Sequence, residues 1–119
     1  MFGTSSKGRA ALAAALEGED WATQRDRPAF LTWLALSWQA RAGVTARQLE
    51  RRREFLRAEL ARDLMTLRDV RREVGHRYHE AVWMLELVIA QFRTELRWIG
   101  KVSSELRRRA PARRPDYAS

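Results

Sequence analysis

Tyr78-His79-Glu80-Ala81-Val82-Trp83-Met84-Leu85-Glu86-Leu87-Val88-Ile89-Ala90-Gln91-Phe92 opens the stretch whose reading decides the fold. From Tyr78 onward apolar residues recur at alternating steps of four and three: Val82, Leu85, Ile89, Phe92, Leu96, Ile99 and Leu106, with Ser103 in the one polar slot. A 3.5-residue repeat keeps a single seam turned toward a second long helix. The spacing predicts a helix over about Arg77 to Arg109, stopped by Ala110-Pro111. Glu86 is the one charge between Ala81 and Ala90, so this section is apolar all round and is expected to be buried on more than one side. A membrane span needs about 20 apolar residues, which makes this run a core helix.

Upstream, Thr45 stands as the N-cap of a second long helix, Ala46 to Val74. Its apolar positions are Leu49, Leu56, Leu60, Leu64, Leu67 and Val74, flanked by Phe55 and Val70, and Gly75 closes it. A shorter helix is predicted from Pro28, suited to a first turn, through Phe30, Trp33, Leu34 and Trp38 to Arg41, with Ala42-Gly43 as its stop. The first helix is expected over Gly8 to Glu17, capped by Ser5 or Ser6, and Trp21 to Arg27 read as a polar link. The fold class is therefore all-α: two short helices plus two long antiparallel helices forming an intertwined helical dimer. Each long helix extends roughly 45 Å. Two such helices and two short ones leave apolar surface that only a partner covers, and a symmetric homodimer is the default. On the central repeat, Tyr78, Val82, Leu85, Ile89, Phe92, Leu96 and Ile99 are the expected dimer contacts. The helical dimerisation domain is placed at 8–109, with a disordered tail over 110–119.

Composition narrows the function. The chain has 119 residues, 45% of them apolar, with 6 Gly and 3 Pro, which suits one globular domain. Having no Cys, it carries no disulfide and no thiolate chemistry, in keeping with a cytoplasmic setting. The formal net charge of +8 gathers at Arg51-Arg52-Arg53, Arg107-Arg108-Arg109 and Arg113-Arg114. A basic balance favours polyanionic partners without locating them.

Taken in order, four segments resemble the C-terminal half of PadR-like (phenolic-acid decarboxylase regulator type) transcription regulators. Phe2, Ser5, Gly8-Arg9 and Leu12 look like the family's passage from the last wing strand into the linking helix. Phe30-Leu31-Thr32-Trp33-Leu34-Ala35-Leu36-Ser37 is similar to the helix that follows, and Gln48-Leu49-Glu50-Arg51-Arg52 through Glu59-Leu60 to the Arg/Glu-rich long helix. His79 to Leu96, with Glu80-Ala81-Val82-Trp83-Met84-Leu85-Glu86-Leu87 at its centre, resembles the terminal helix. Thr4 and Ser5 stand where the family usually has Leu and Thr. The resemblance covers about Phe2 to Arg109 and rests on order and spacing, with no single specific motif. It implies an exchanged, antiparallel helix dimer, in some members with an apolar effector cavity. It makes residues 1–9 a remnant of a wing strand, with Lys7 and Arg9 as contacts to the DNA backbone. It also places Met1 inside the second wing strand, so the recognition helix lies upstream of the residues present. DNA is then met only through that missing N-terminal half, either lost to a truncated gene start or absent from a standalone regulator fragment.

Other constellations in the sequence carry weaker signals of chemistry. Gly3 to Gly8 has the glycine spacing of a phosphate loop, but Arg9-Ala10 stands where Lys and Ser/Thr are required. His76 and His79 lie three apart without a third metal ligand, and no metal site or cofactor is expected. Phe30, Trp33, Trp38, Trp83 and Met84 are the residues for an aromatic pocket between protomers, with Glu86 as a specificity group for a small aromatic effector. The bland reading of the same residues is core packing, and of Glu86 a pairing with Arg. No nucleophile–base pair can be assembled, so no enzymatic activity is expected. The expected function is dimerisation and effector sensing for a PadR-like regulator, as a homodimer or a heterodimer with full-length relatives. The alternatives are a basic helical protein that binds nucleic acid non-specifically and a structural coiled-coil adaptor.

Overall fold

The computed structural model describes residues 5–24 and 28–109, the side chain of Trp21 excepted, and every regular element among them is helical. The chain divides into two compact units, Met1–Trp33 and Leu34–Ser119.

In the first unit, α1 (Ser6–Leu16) starts at Ser5, whose hydroxyl oxygen accepts from the Gly8 amide at 3.1 Å. That bond satisfies one of the amides a helix start leaves without a partner. Ser6 to Arg9 thus form the first turn of a helix rather than a wing strand, and Met1 to Thr4 lie outside the described residues. The phosphate-loop spacing is divided in the same way, since Gly8 sits inside the helix. A 3-10 turn, Glu19–Thr23, follows and runs into the start of the segment, Trp21 to Arg27, expected to be a polar link.

The next helix, α2 (Ala29–Leu36), is shorter than its apolar pattern predicts. Ser37 donates its hydroxyl to the Leu34 carbonyl at 2.8 Å, and the chain tightens into a 3-10 turn over Ser37–Gln39. Local side-chain bonding of this kind competes with the helical ladder and explains why the helix does not reach Arg41.

The second unit is built on α3 (Val44–Val74, 31 residues) and α4 (Glu80–Arg108, 29 residues). Gly43, at φ +85°, occupies the cap position of α3, and the Thr45 hydroxyl instead donates to the Ser37 carbonyl at 3.4 Å. The expected cap at Thr45 therefore fails because a glycine two positions earlier turns the chain. Gly75, also at φ +85°, ends α3 with its amide on the Arg71 carbonyl at 2.9 Å. α4 begins three residues later than predicted, because His79 caps it: its Nδ1 accepts from the Ala81 amide at 3.0 Å. Arg77 and Tyr78 remain in the link, with the guanidinium over the phenol ring at 5.2 Å.

The two long helices run antiparallel. Arg52 and Arg53, early in α3, reach Glu95 and Ser103 late in α4, whereas Arg71 near the end of α3 lies 3.8 Å from Glu86 early in α4. Leu67, Val82, Leu85 and Ile89 form a buried cluster with Leu60 and Val70 against it. Leu49, Leu56 and Ile99 are fully enclosed toward the other end. Each such side chain contributes roughly 1.5–3 kcal/mol by leaving water, which makes this strip the stabilising centre of the hairpin. The predicted disordered tail, 110–119, lies outside the described residues.

Candidate association face and effector residues

Among the residues expected to join two chains, Val82, Leu85, Ile89 and Ile99 are buried, and Phe92 and Leu96 are half-buried. Leu60, Leu67 and Val70 of the chain's own α3 pack on this seam. Tyr78 precedes the helix and is 66% exposed.

On the far side of α4, the sequence singled out Trp83 and Met84 as pocket residues but not the stripe they belong to. Ala81 to Ala90 was expected to be buried on more than one side; within the single chain one side is covered, with Trp83 53% exposed, Met84 54% and Leu87 60%. These residues begin a second alternating repeat, Met84, Leu87, Gln91, Thr94 and Trp98, each member two residues after a seam position. Two residues turn an α-helix by about 200°, so the second stripe faces away from the first. Met84, Leu87, Gln91 and Thr94 are exposed and Trp98 half-buried. The signal was present in the sequence, but the stronger, uninterrupted apolar seam masked it.

The six effector-site candidates, expected to line a pocket between protomers, fall in both units of the chain. Phe30 and Trp33 belong to the first unit, where their rings stack with centroids 5.6 Å apart. Trp38, in the second unit, lines a cavity beside Leu106 near the end of α4. Trp83, Met84 and Glu86 occupy the opposite end of that helix, about 30–35 Å along its axis from Leu106. Glu86 is 48% exposed and close to Arg71, the arginine pairing its bland reading called for. Lys7 and Arg9 are exposed on α1.

Arg51-Arg52-Arg53 reads from sequence as a solvated face, but its members divide. Arg52 bonds Glu95 across the hairpin, while Arg53 meets Glu50 at 3.3 Å and Ser103 at 3.4 Å. His76 and His79 each spend Nδ1 on a backbone amide, those of Tyr78 and Ala81, and their rings are tilted 6.3 Å apart. Among the described residues no group of three His, Asp or Glu side chains is placed to hold a metal ion, and no helix is long and apolar enough to cross a membrane. No family model, curated protein or solved structure matches the chain.

Proposed function

We propose that this chain is an association module that pairs with a second copy of itself through the outer stripe of α4. One observation carries the reading: Trp83, Met84 and Leu87 stay largely exposed on a helix whose other side is already filled by α3. Exposed apolar clusters on a regular helix are characteristic of protein contacts. A 3-4 repeat is also self-complementary, so a like helix is its simplest partner. An antiparallel pairing centred on Gln91 sets Met84 of one copy opposite Trp98 of the other and lets Gln91 meet its own counterpart.

The cellular role proposed for this module is dimerisation within a PadR-like transcriptional regulator, with effector sensing as an accessory function. That part is supported by the order and spacing of the four resembling segments and by the pair of long helices they form. In such regulators DNA is read by a winged helix-turn-helix and the helical half supplies the dimer; the module would act in the cytoplasm through a homodimer or by pairing with other PadR-like regulators. Light scattering of the whole chain at micromolar concentration tests the association, and a stable monomer would overturn it. Co-expression with a full-length PadR-like regulator tests the role: mixed dimers with weakened operator binding are expected, and unchanged operator binding argues against it.

A further inference from the structure

A cavity of about 500 Å³ opens where the start of α3 meets the end of α4, entirely within the second unit. Four arginines line it: Arg41, Arg53, Arg107 and Arg109. Glu50 is the one carboxylate on its wall among the described residues, and it is already 3.3 Å from Arg53. Arg41, Arg107 and Arg109 lie in no ion pair with any carboxylate among the described residues. Arg41, Arg107 and Arg109 are exposed, and like charges gathered around one concavity repel one another, a repulsion that salt screens and a bound anion relieves.

Two further features bear on what kind of anion fits. A cavity of this size lies within the roughly 300–1,000 Å³ of small-molecule sites and exceeds what an inorganic ion fills. Its wall is also apolar in part, with half-buried Trp38 and Leu106 beside Ala40 and Ala46. The start of α3 adds potential of the same sign: it has no side-chain cap and no acidic residue in its first turn, and Gly43, Thr45 and Ala46 all border the cavity.

We propose that this cavity binds a small organic anion, its flat apolar body against Trp38 and Leu106 and its carboxylate or phosphate among Arg41, Arg107 and Arg109. The guanidinium fork matches both acid groups, so the shared chemistry is a planar ring bearing one oxyanion. The site belongs to the hairpin of a single chain and does not depend on the pairing proposed above.

Calorimetric titration of the full chain with 2-naphthoate, 2-naphthyl phosphate, 2-naphthalenemethanol and inorganic phosphate tests the proposal. At least one naphthyl anion is expected to bind about tenfold or more tighter than the alcohol, as charged hydrogen bonds require. Whichever naphthyl anion binds tighter identifies the acid group. The double variant Arg107→Gln/Arg109→Gln should weaken that binding by about tenfold or more, and Arg41→Gln alone by several-fold. Arg72→Gln removes the same single charge as Arg41→Gln, but at the far end of the hairpin, and should change little. Trp38→Leu should weaken both naphthyl anions together. The proposal is overturned if the alcohol binds as well as the anions, if inorganic phosphate matches naphthyl phosphate, or if Arg72→Gln weakens binding as much as the double variant. Absence of binding at millimolar concentration overturns it equally. Circular dichroism of each variant confirms that helix content is retained, and Arg41→Gln decides the matter if the double variant unfolds.

Discussion

Arg52 and Glu95 join α3 to α4 through a two-pronged ion pair, with Nε 2.6 Å from Oε2 and Nη2 3.2 Å from Oε1. The side chains are 27% and 29% exposed, so the pair is neither a loose surface contact nor a fully dehydrated one. Because guanidinium and carboxylate match atom for atom, the contact also fixes how far one helix slides along the other. A double-mutant cycle on Arg52→Ala and Glu95→Ala should return a coupling of about 1 kcal/mol in urea denaturation, reduced by salt. Arg52→Lys should lose much of it, since an ammonium cannot bridge both oxygens in this geometry. A coupling indistinguishable from zero would show that the apolar strip alone sets the register.

Leu56 and Ile99 are fully enclosed, whereas Leu64 is 38% exposed on the same hairpin. Truncating either enclosed residue to Ala leaves a void that neighbouring helices fill only in part, at a cost of about 2–5 kcal/mol. Leu64→Ala should cost clearly less, about 1 kcal/mol, because water already reaches that side chain. The ranking is read from chemical denaturation midpoints at constant slope. Equal losses at all three positions would contradict the placement of the core.

Gly75 ends α3 at φ +85°, and a Cβ built there meets nothing within 4 Å. The cost of Gly75→Ala is therefore conformational rather than steric, about 1 kcal/mol. Gly75→Asn should recover part of it, because Asn tolerates the left-handed region better than Ala. If Ala raised the thermal midpoint instead, the positive φ at this turn would be excluded.

Leu85 and Leu87 are two positions apart, yet one is 7% exposed and the other 60%. Leu85→Lys puts an unpaired charge into the α3–α4 core and should unfold the hairpin, seen as loss of helical circular dichroism. Leu87→Lys should leave helix content unchanged while lowering the apparent mass in solution toward that of a single chain. A variant at Leu87 that stays fully associated would move the pairing surface away from the outer stripe of α4.

Much of the local structure was legible in advance. Ser5 as a cap, Gly75 as a stop and the long central helix all follow from interactions that span four residues or fewer, which local sequence encodes directly. Boundaries failed where a neighbouring group competed: Gly43 displaced Thr45 as the cap of α3, Ser37 ended α2 early, and His79 delayed α4. Aromatic character gathers Phe30, Trp33, Trp38, Trp83 and Met84 into one set, whereas the fold places Trp83 and Met84 at the start of α4 and Trp38 beside the cavity at its end.

The central repeat from Tyr78 to Leu106 determined by itself that a long helix forms and packs one seam against another helix. It did not say which chain supplies that helix, because a 3.5-residue repeat is satisfied equally by a neighbour in sequence and by a second copy. Within the single chain, α3 packs on the seam and the stripe beginning at Met84 is left outside. The tertiary structure also brought Arg41, Arg53, Arg107 and Arg109 from distant stretches of sequence around one cavity, and Arg52 to Glu95. Those meetings depend on the short link from Gly75 to His79 and the antiparallel register it permits, and both act over distances that no local pattern of residues encodes.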